Sequence, residues 1–171
     1  MATADKILLG YGVVSINNLP IGLTRGGSSF VIEREYRNIE ADGDKGAVKG
    51  RVVIDSENAK LTVNALETFT ASDMTKYYPG MSITPDNESS PTKHTMTSTL
   101  SIAEGDYVTV KWVGKTKDGK AVSILIENAI NMSNLEWTLE DKSEVVPALE
   151  FTATYDEEDR DTAPWNVEFA A

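Results

Sequence analysis

Apolar positions along this chain recur mostly with a period of two, the mark of strands that bury one face. Lys60, Thr62 and Asn64 alternate with Leu61, Val63 and Ala65. Val108, Val110 and Trp112 match Val122, Ile124 and Ile126 across Lys117-Asp118-Gly119-Lys120, a tight hairpin signal. Leu149, Phe151, Ala153 and Tyr155 predict another strand, and Trp165, Val167 and Phe169 a last one that ties down the end of the chain. Ile7–Asn17 predicts a first strand, closed by an Asn17-Asn18-Leu19-Pro20 turn, and Ile21–Thr24 a short second one. Further strands are expected where Met96, Leu100 and Ile102 oppose Thr95, Thr97 and Thr99, and where Leu135, Trp137 and Leu139 oppose Glu136 and Glu140.

One helix is expected. Thr70-x-x-Asp73 fits a variant capping box, with Phe69 placed as a hydrophobic staple to Met74. Met74, Tyr77 and Tyr78 form its apolar stripe, and Pro79-Gly80 ends it. Its expected task is to cover an open side of a sheet. Pro85–His94 is polar with two prolines and reads as a loop, and Asp156–Asp161 reads as an acidic turn. No internal repeat, low-complexity tract or linker interrupts residues 1–171. The expectation is a single, mainly β domain: a β-sandwich or barrel with one short flanking helix and a long extended hairpin arm.

That arm is the exception to the pattern. Within Leu23–Leu66, the runs Val52–Ile54 and Leu61–Leu66 are apolar, but Glu33–Arg51 holds five acids and five bases, closely interleaved. Such a stretch has too little apolar surface to build a core, and it lacks the single sign of a repelling tail. Phe30–Glu40 carries helical spacing at Ile32, Tyr36 and Ile39. No cap precedes it, however, and Gly26-Gly27 and Gly43 bound it, which favours an extended arm. Asp42-Gly43 suits a hairpin turn; a calcium loop lacks its third acidic position and its terminal glutamate. Two readings follow: a solvated, salt-bridged hairpin, or an arm that docks on another copy with both signs setting register.

Composition removes several function classes. The chain has no cysteine and one histidine, His94, so disulfides, thiolate metal sites and multi-histidine sites within one chain are excluded. Its net charge is −11, and outside the neutral arm 22 acids face 11 bases, the wrong sign for gripping phosphate backbones. Ile7–Val14, broken by two glycines, does not read as a signal peptide, and no run is long enough to span a bilayer. The chain therefore reads as cytosolic at synthesis, and the sequons at Asn87 and Asn131 carry little weight. No phosphate loop, nucleophile elbow or metalloprotease motif is present, and His94 has no acid or nucleophile in its own stretch. The expectation is a protein that is not an enzyme and has no cofactor.

The run Thr24-Arg25-Gly26-Gly27-Ser28, then Glu33-Arg34-Glu35-Tyr36-Arg37, Asp42-Gly43-Asp44-Lys45-Gly46 and Val48-Lys49-Gly50-Arg51 resembles the tail tube (major tail) proteins of long-tailed, non-contractile bacteriophages. The similarity extends to a strand opening with Gly10-Tyr11-Gly12, a helix that stops at Tyr78-Pro79-Gly80, and a late Glu136-Trp137 strand. The helix is shorter and more polar than in that family. The resemblance implies a structural virion protein whose hexameric rings stack into a hollow tube for genome delivery, with residues 24–51 bridging to the next ring. It implies a subunit made in the host cytoplasm and built into the virion tail. Its partners would be other copies of itself, a tape-measure protein, a tail terminator and a distal tail protein, with DNA passing a negative lumen unbound. The inter-subunit contacts would fall on Arg25, Arg34, Tyr36, Arg37, Asp42, Asp44, Lys45, Lys49 and Arg51. The alternative is a non-enzymatic β-sandwich binding module, carbohydrate-binding or adhesin-like, using exposed Trp112, Trp137 or Trp165. Trp112 and Trp137 lie in phase with the apolar face of their strands, which assigns them to the core.

Overall fold

The computed structural model describes residues 4–67, 70–88, 90 and 92–170. Strand β1 (Leu8–Ile16) passes through Asn17 and Asn18, at φ 48° and 65°, into the two-residue β2 (Leu19–Pro20). Two successive left-handed residues make a type I′ turn, which Asn tolerates. The two longest strands, β3 (Thr24–Asn38) and β4 (Val52–Ala65), pair antiparallel. After helix α1 (Ala71–Tyr77) come β5 (Met81–Asp86) and β6 (Lys93–Ser98), which form a separate hairpin. The chain ends with β7 (Val108–Thr116), β8 (Ala121–Asn131), β9 (Ala148–Ala153) and β10 (Trp165–Phe169). Among the described residues, eight strands make one antiparallel sheet in the order β2-β1-β7-β8-β9-β4-β3, with β10 also on β8.

Strand β8 turns the sheet back on itself. Its residues 122–126 pair with β10 and its residues 129–131 pair with β9. Between the two stretches Asn128 has φ 49°, and the ladder with β7 shifts register between Val108 and Val110. Irregularities of this kind let a strand turn a corner between packed layers. The wing β1-β7-β8-β10 thus folds over the wing β9-β4-β3. Phe30 and Trp165 meet between them, with ring centroids 5.9 Å apart, and Trp165 Nε1–H donates to Glu57 Oε1 at 2.8 Å. The enclosed core includes Val14, Ile16, Leu61, Val63, Val110, Ile126, Leu149 and Phe151.

Most of the strand pattern is realised. The alternation over β4 gives buried Ala59, Leu61, Val63 and Ala65 with half-buried Lys60, Thr62 and Asn64 between them. Val110 stands opposite Ile126, and Trp112 opposite Ile124. Phe30–Asn38 is extended. Thr70 caps α1 by accepting the Asp73 N–H, and Met74, Tyr77 and Tyr78 are buried. The helix packs into the core and against the β5–β6 hairpin. The expected Phe69 staple lies outside the described residues.

Five expectations need correction. The short strand after β1 is Leu19–Pro20, not Ile21–Thr24, because the Asn-Asn turn reverses the chain at once. Pro85 and Asp86 pair with His94 and Lys93, so the loop of this hairpin is narrower than 85–94; Pro is tolerated on a two-stranded ribbon whose outer edge is free. The strand carrying Met96 stops at Ser98, because Leu100 adopts φ 57° and is left 94% exposed, and Ile102 is exposed with it. No strand covers 132–147, and Trp137, assigned to the core by its phase, is 43% exposed. Tyr155 lies beyond the end of β9 and is exposed.

The buried Trp112 depends on two glycines. Gly12 and Gly114 are cross-strand partners on β1 and β7, and a Cβ at Gly114 would stand 2.2 Å from the Trp112 ring, one at Gly12 2.5 Å from it. The indole therefore lies flat over bare backbone. Gly114→Val is expected to cost about 1–3 kcal/mol by overpacking a rigid ring, lowering Tm and reducing the near-ultraviolet circular dichroism of the tryptophans.

Candidate functional site

Strand β9 reaches only residues 60–64 of β4. Beyond it, Glu33–Asn38 pair with Val52–Asn58, with no further strand on either side among the described residues. The paired stretch runs about 20 Å past the end of β9 and ends in the loop 39–51. Asp55 is the extra residue of a β-bulge, because Glu35 stands opposite Ser56 while Tyr36 stands opposite Ile54. One face therefore continues along the whole hairpin: Phe30, Ile32, Arg34 and Tyr36 on β3, with Leu61, Ala59, Glu57, Ile54 and Val52 on β4. At the body this face is core. Past Arg34 and Glu57 it leaves the core, and Tyr36, Ile54 and Val52 are 62%, 52% and 50% exposed.

The interleaved charges form cross-strand pairs along the same hairpin. Arg34 Nε donates to Glu57 at 2.5 Å, Arg37 Nε to Asp55 at 2.8 Å, and Lys60 Nζ lies 3.0 Å from Glu33. In the loop, Arg51 pairs with Asp44 at 2.7 Å, and Asp44 also accepts the Ala41 N–H. Lys45, Lys49 and Asp42 are exposed and make no ion pair among the described residues. Arg34, Tyr36, Arg37, Asp42, Asp44, Lys45, Lys49 and Arg51 are thus brought together on one projection. Arg25 is not among them. It lies at the opposite end of β3, where Thr24 faces Ala65, and pairs with Glu144 at 2.5 Å. Gly26 and Gly27, at φ 91° and 83°, bulge the strand just after it.

Glu57 anchors the projection to the body. Its side chain is only 14% exposed. The Arg34 hydrogen bond holds its carboxyl below the usual range, with the Trp165 N–H acting in the same direction against the cost of burial. A depressed folded pKa gives stability that is present above the unfolded value near 4.5 and lost as pH falls through the lower folded one. Glu57→Gln is expected to lower stability at pH 7 by about 1–2 kcal/mol, since Arg34 is partly solvated. Melts from pH 7 to pH 3 should show the two proteins converging at the acid end.

A second feature is invisible in the strand pattern. At the Arg25 end of the β3–β4 pair, Leu66, Trp137, Leu139, Glu144 and Val145 line an apolar groove of about 500 Å³. Leu139 is 76% exposed. The available signal was charge: Glu136, Glu140, Asp141 and Glu144 crowd a segment with one base, Lys142, which suits an exposed loop better than a core strand.

Among the described residues no group of three or more His, Asp or Glu side chains could hold a metal ion. His94 is exposed on β6. No helix among them is long and apolar enough to cross a membrane. No protein-family model matches the chain, and no curated protein matches its sequence.

Proposed function

We propose that this protein is a self-assembling structural subunit, a tile of a hollow tube of the phage-tail kind, built from stacked hexameric rings. The observation that carries the reading is the hairpin whose core face runs out beyond the body. Tyr36, Val52 and Ile54 hold apolar surface in water, roughly 7–16 Å beyond the Arg34–Glu57 pair where the body stops covering it. A second copy covering that face removes the cost, and a head-to-tail contact between identical copies propagates into rings or filaments. The ion pairs along the hairpin stiffen it as a strut, so less order has to be imposed on docking. A net charge of −11 is compatible with a bore past which nucleic acid slides without sticking. Tape-measure, terminator and distal tail proteins are the partners this reading implies, in a virion tail assembled in the host cytoplasm.

Negative-stain microscopy and sedimentation of the purified chain test it. Rings or hollow filaments that build up with concentration support the proposal. A monomer up to millimolar concentration rejects it. Exposed Trp137 favours one second reading, a glycan-binding module, and glycan affinity in such a monomer would select it.

A further inference from the structure

We infer that the loop 39–51 of one copy docks, through its basic half, in the apolar groove at Trp137 and Leu139 of the next copy. This rests on the stacking reading above and names the surface that receives the arm.

Three observations point to this occupant. The first is polarity. The loop joins the start of β4 at Val52, and Leu66, which lines the groove, immediately follows its end at Ala65. At about 3.3 Å per residue the two features stand roughly 45 Å apart along one strand. A loop at one pole cannot reach the groove at the other pole of its own chain. The same loop on a second copy, displaced along the strand axis, meets it head-to-tail, and the contact repeats without closing on itself.

The second observation is charge. Lys45–Arg51 carries three bases and no acid, and Lys45 and Lys49 have no ion pair among the described residues. The segment 132–147 that forms the groove's outer wall carries four acids and one base, with Glu67 at the same pole, where it accepts the Leu23 N–H. The loop as a whole is neutral, because Glu40, Asp42 and Asp44 precede these bases, but its basic half is opposite in sign to the acidic segment 132–147, which favours docking through that half. The third is apolar fit. Ile39 is 49% exposed beside the loop, and exposed Ala47 lies between the two lysines. Leu66, Trp137, Leu139 and Val145 offer an apolar seat for them.

The chain has no cysteine, so a disulfide can report the contact. Lys49→Cys and Leu139→Cys are placed together in one chain, and each alone in controls, then assembled and oxidised. A disulfide needs Cα atoms within about 7 Å, so no bond can form inside one chain. The double variant is expected to give a ladder of covalent oligomers on a non-reducing gel, and the single variants none. In parallel, Lys45→Glu with Lys49→Glu should raise the concentration needed for assembly by about tenfold or more, and Glu140→Lys with Asp141→Lys should restore it. Normal filaments without a ladder overturn this docking and leave the stacking reading intact. Dimers from Leu139→Cys alone mean that the groove pairs with itself, and dimers from Lys49→Cys alone mean that the arms pair; either overturns the proposal. A chain that forms no assembly of any kind overturns both.

Discussion

Excising residues 39–51 and joining Asn38 to Val52 through Asn-Gly is expected to abolish stacking while leaving the body folded, with Tm within a few degrees of the natural chain. Asn38 and Val52 are cross-strand partners, so a two-residue type I′ turn closes the ladder without changing register. The excised loop takes both members of the Arg51–Asp44 pair with it, so no charge is orphaned. The shorter connection also lowers the entropy cost of closing the hairpin. The position of the cut matters. Removing 34–49 instead would take Arg34 away from Glu57 and leave a carboxylate that is 14% exposed beside Trp165 without its cation. That variant confounds folding with assembly, whereas the cut at 39 and 51 separates them. Circular dichroism and thermal melts check the fold, and sedimentation with negative-stain microscopy checks assembly. A shortened chain that is folded and still stacks like the natural one removes the loop from any role in contact between copies.

The sequence carried the strands whose faces differ most in polarity. β4, β7, β8 and β10 each put apolar residues on alternate positions against polar ones, and a period of two survives any tertiary context that buries one face. It failed where apolar residues had another task. Leu135, Trp137 and Leu139 alternate like a strand, yet they belong to a segment whose acids cannot be buried and which lines an open groove. Leu100 continues the Met96 phase, but Thr99 N–H bonds to Gly80 O at 2.8 Å and Leu100 N–H to Ser98 Oγ at 3.2 Å, ending the strand in a left-handed turn. Nothing in a local pattern reports those bonds. The arm was legible as a neutral, interleaved stretch, and its extended form followed from the missing helix cap and the flanking glycines. Its internal pairing was not legible, because Arg34–Glu57 and Arg37–Asp55 depend on a register set by a bulge at Asp55. Arg25 is close to the arm in sequence. A strand of 15 residues places it at the opposite pole.

Asn131→Ala is expected to cost about 3–5 kcal/mol, as much as truncating a large core side chain. The sequence offers Asn131 only as the first residue of an Asn-Met-Ser sequon, a surface signal, yet the side chain is 4% exposed at the end of β8. Its Nδ2–H donates to the Tyr77 carbonyl at 2.6 Å, in the last turn of α1. Its Oδ1 accepts from Ser133 N–H at 2.9 Å, Ser133 Oγ–H at 2.6 Å and Glu150 N–H at 3.2 Å. One amide thus joins the helix end, the exit of β8 and β9. Truncation leaves the buried Tyr77 carbonyl and the half-buried Ser133 and Glu150 N–H groups without these partners, and each such group costs up to about 1–3 kcal/mol. At about 2–4 °C per kcal/mol for a chain of this size, the loss should lower Tm by on the order of 10 °C. Asn131→Asp separates the two halves of the network. It keeps the acceptor for Ser133 and Glu150 but turns a carboxylate oxygen toward the Tyr77 carbonyl, where only a protonated acid can donate. Burial and that carbonyl favour the neutral form of the new acid, whereas the Ser133 and Glu150 donors favour the charged form, so its stability depends on pH where that of the alanine variant does not. Melts of the two variants should therefore differ in their dependence on pH over the acid range. Equal melts at every pH would mean that α1 is not held to β8 through this amide.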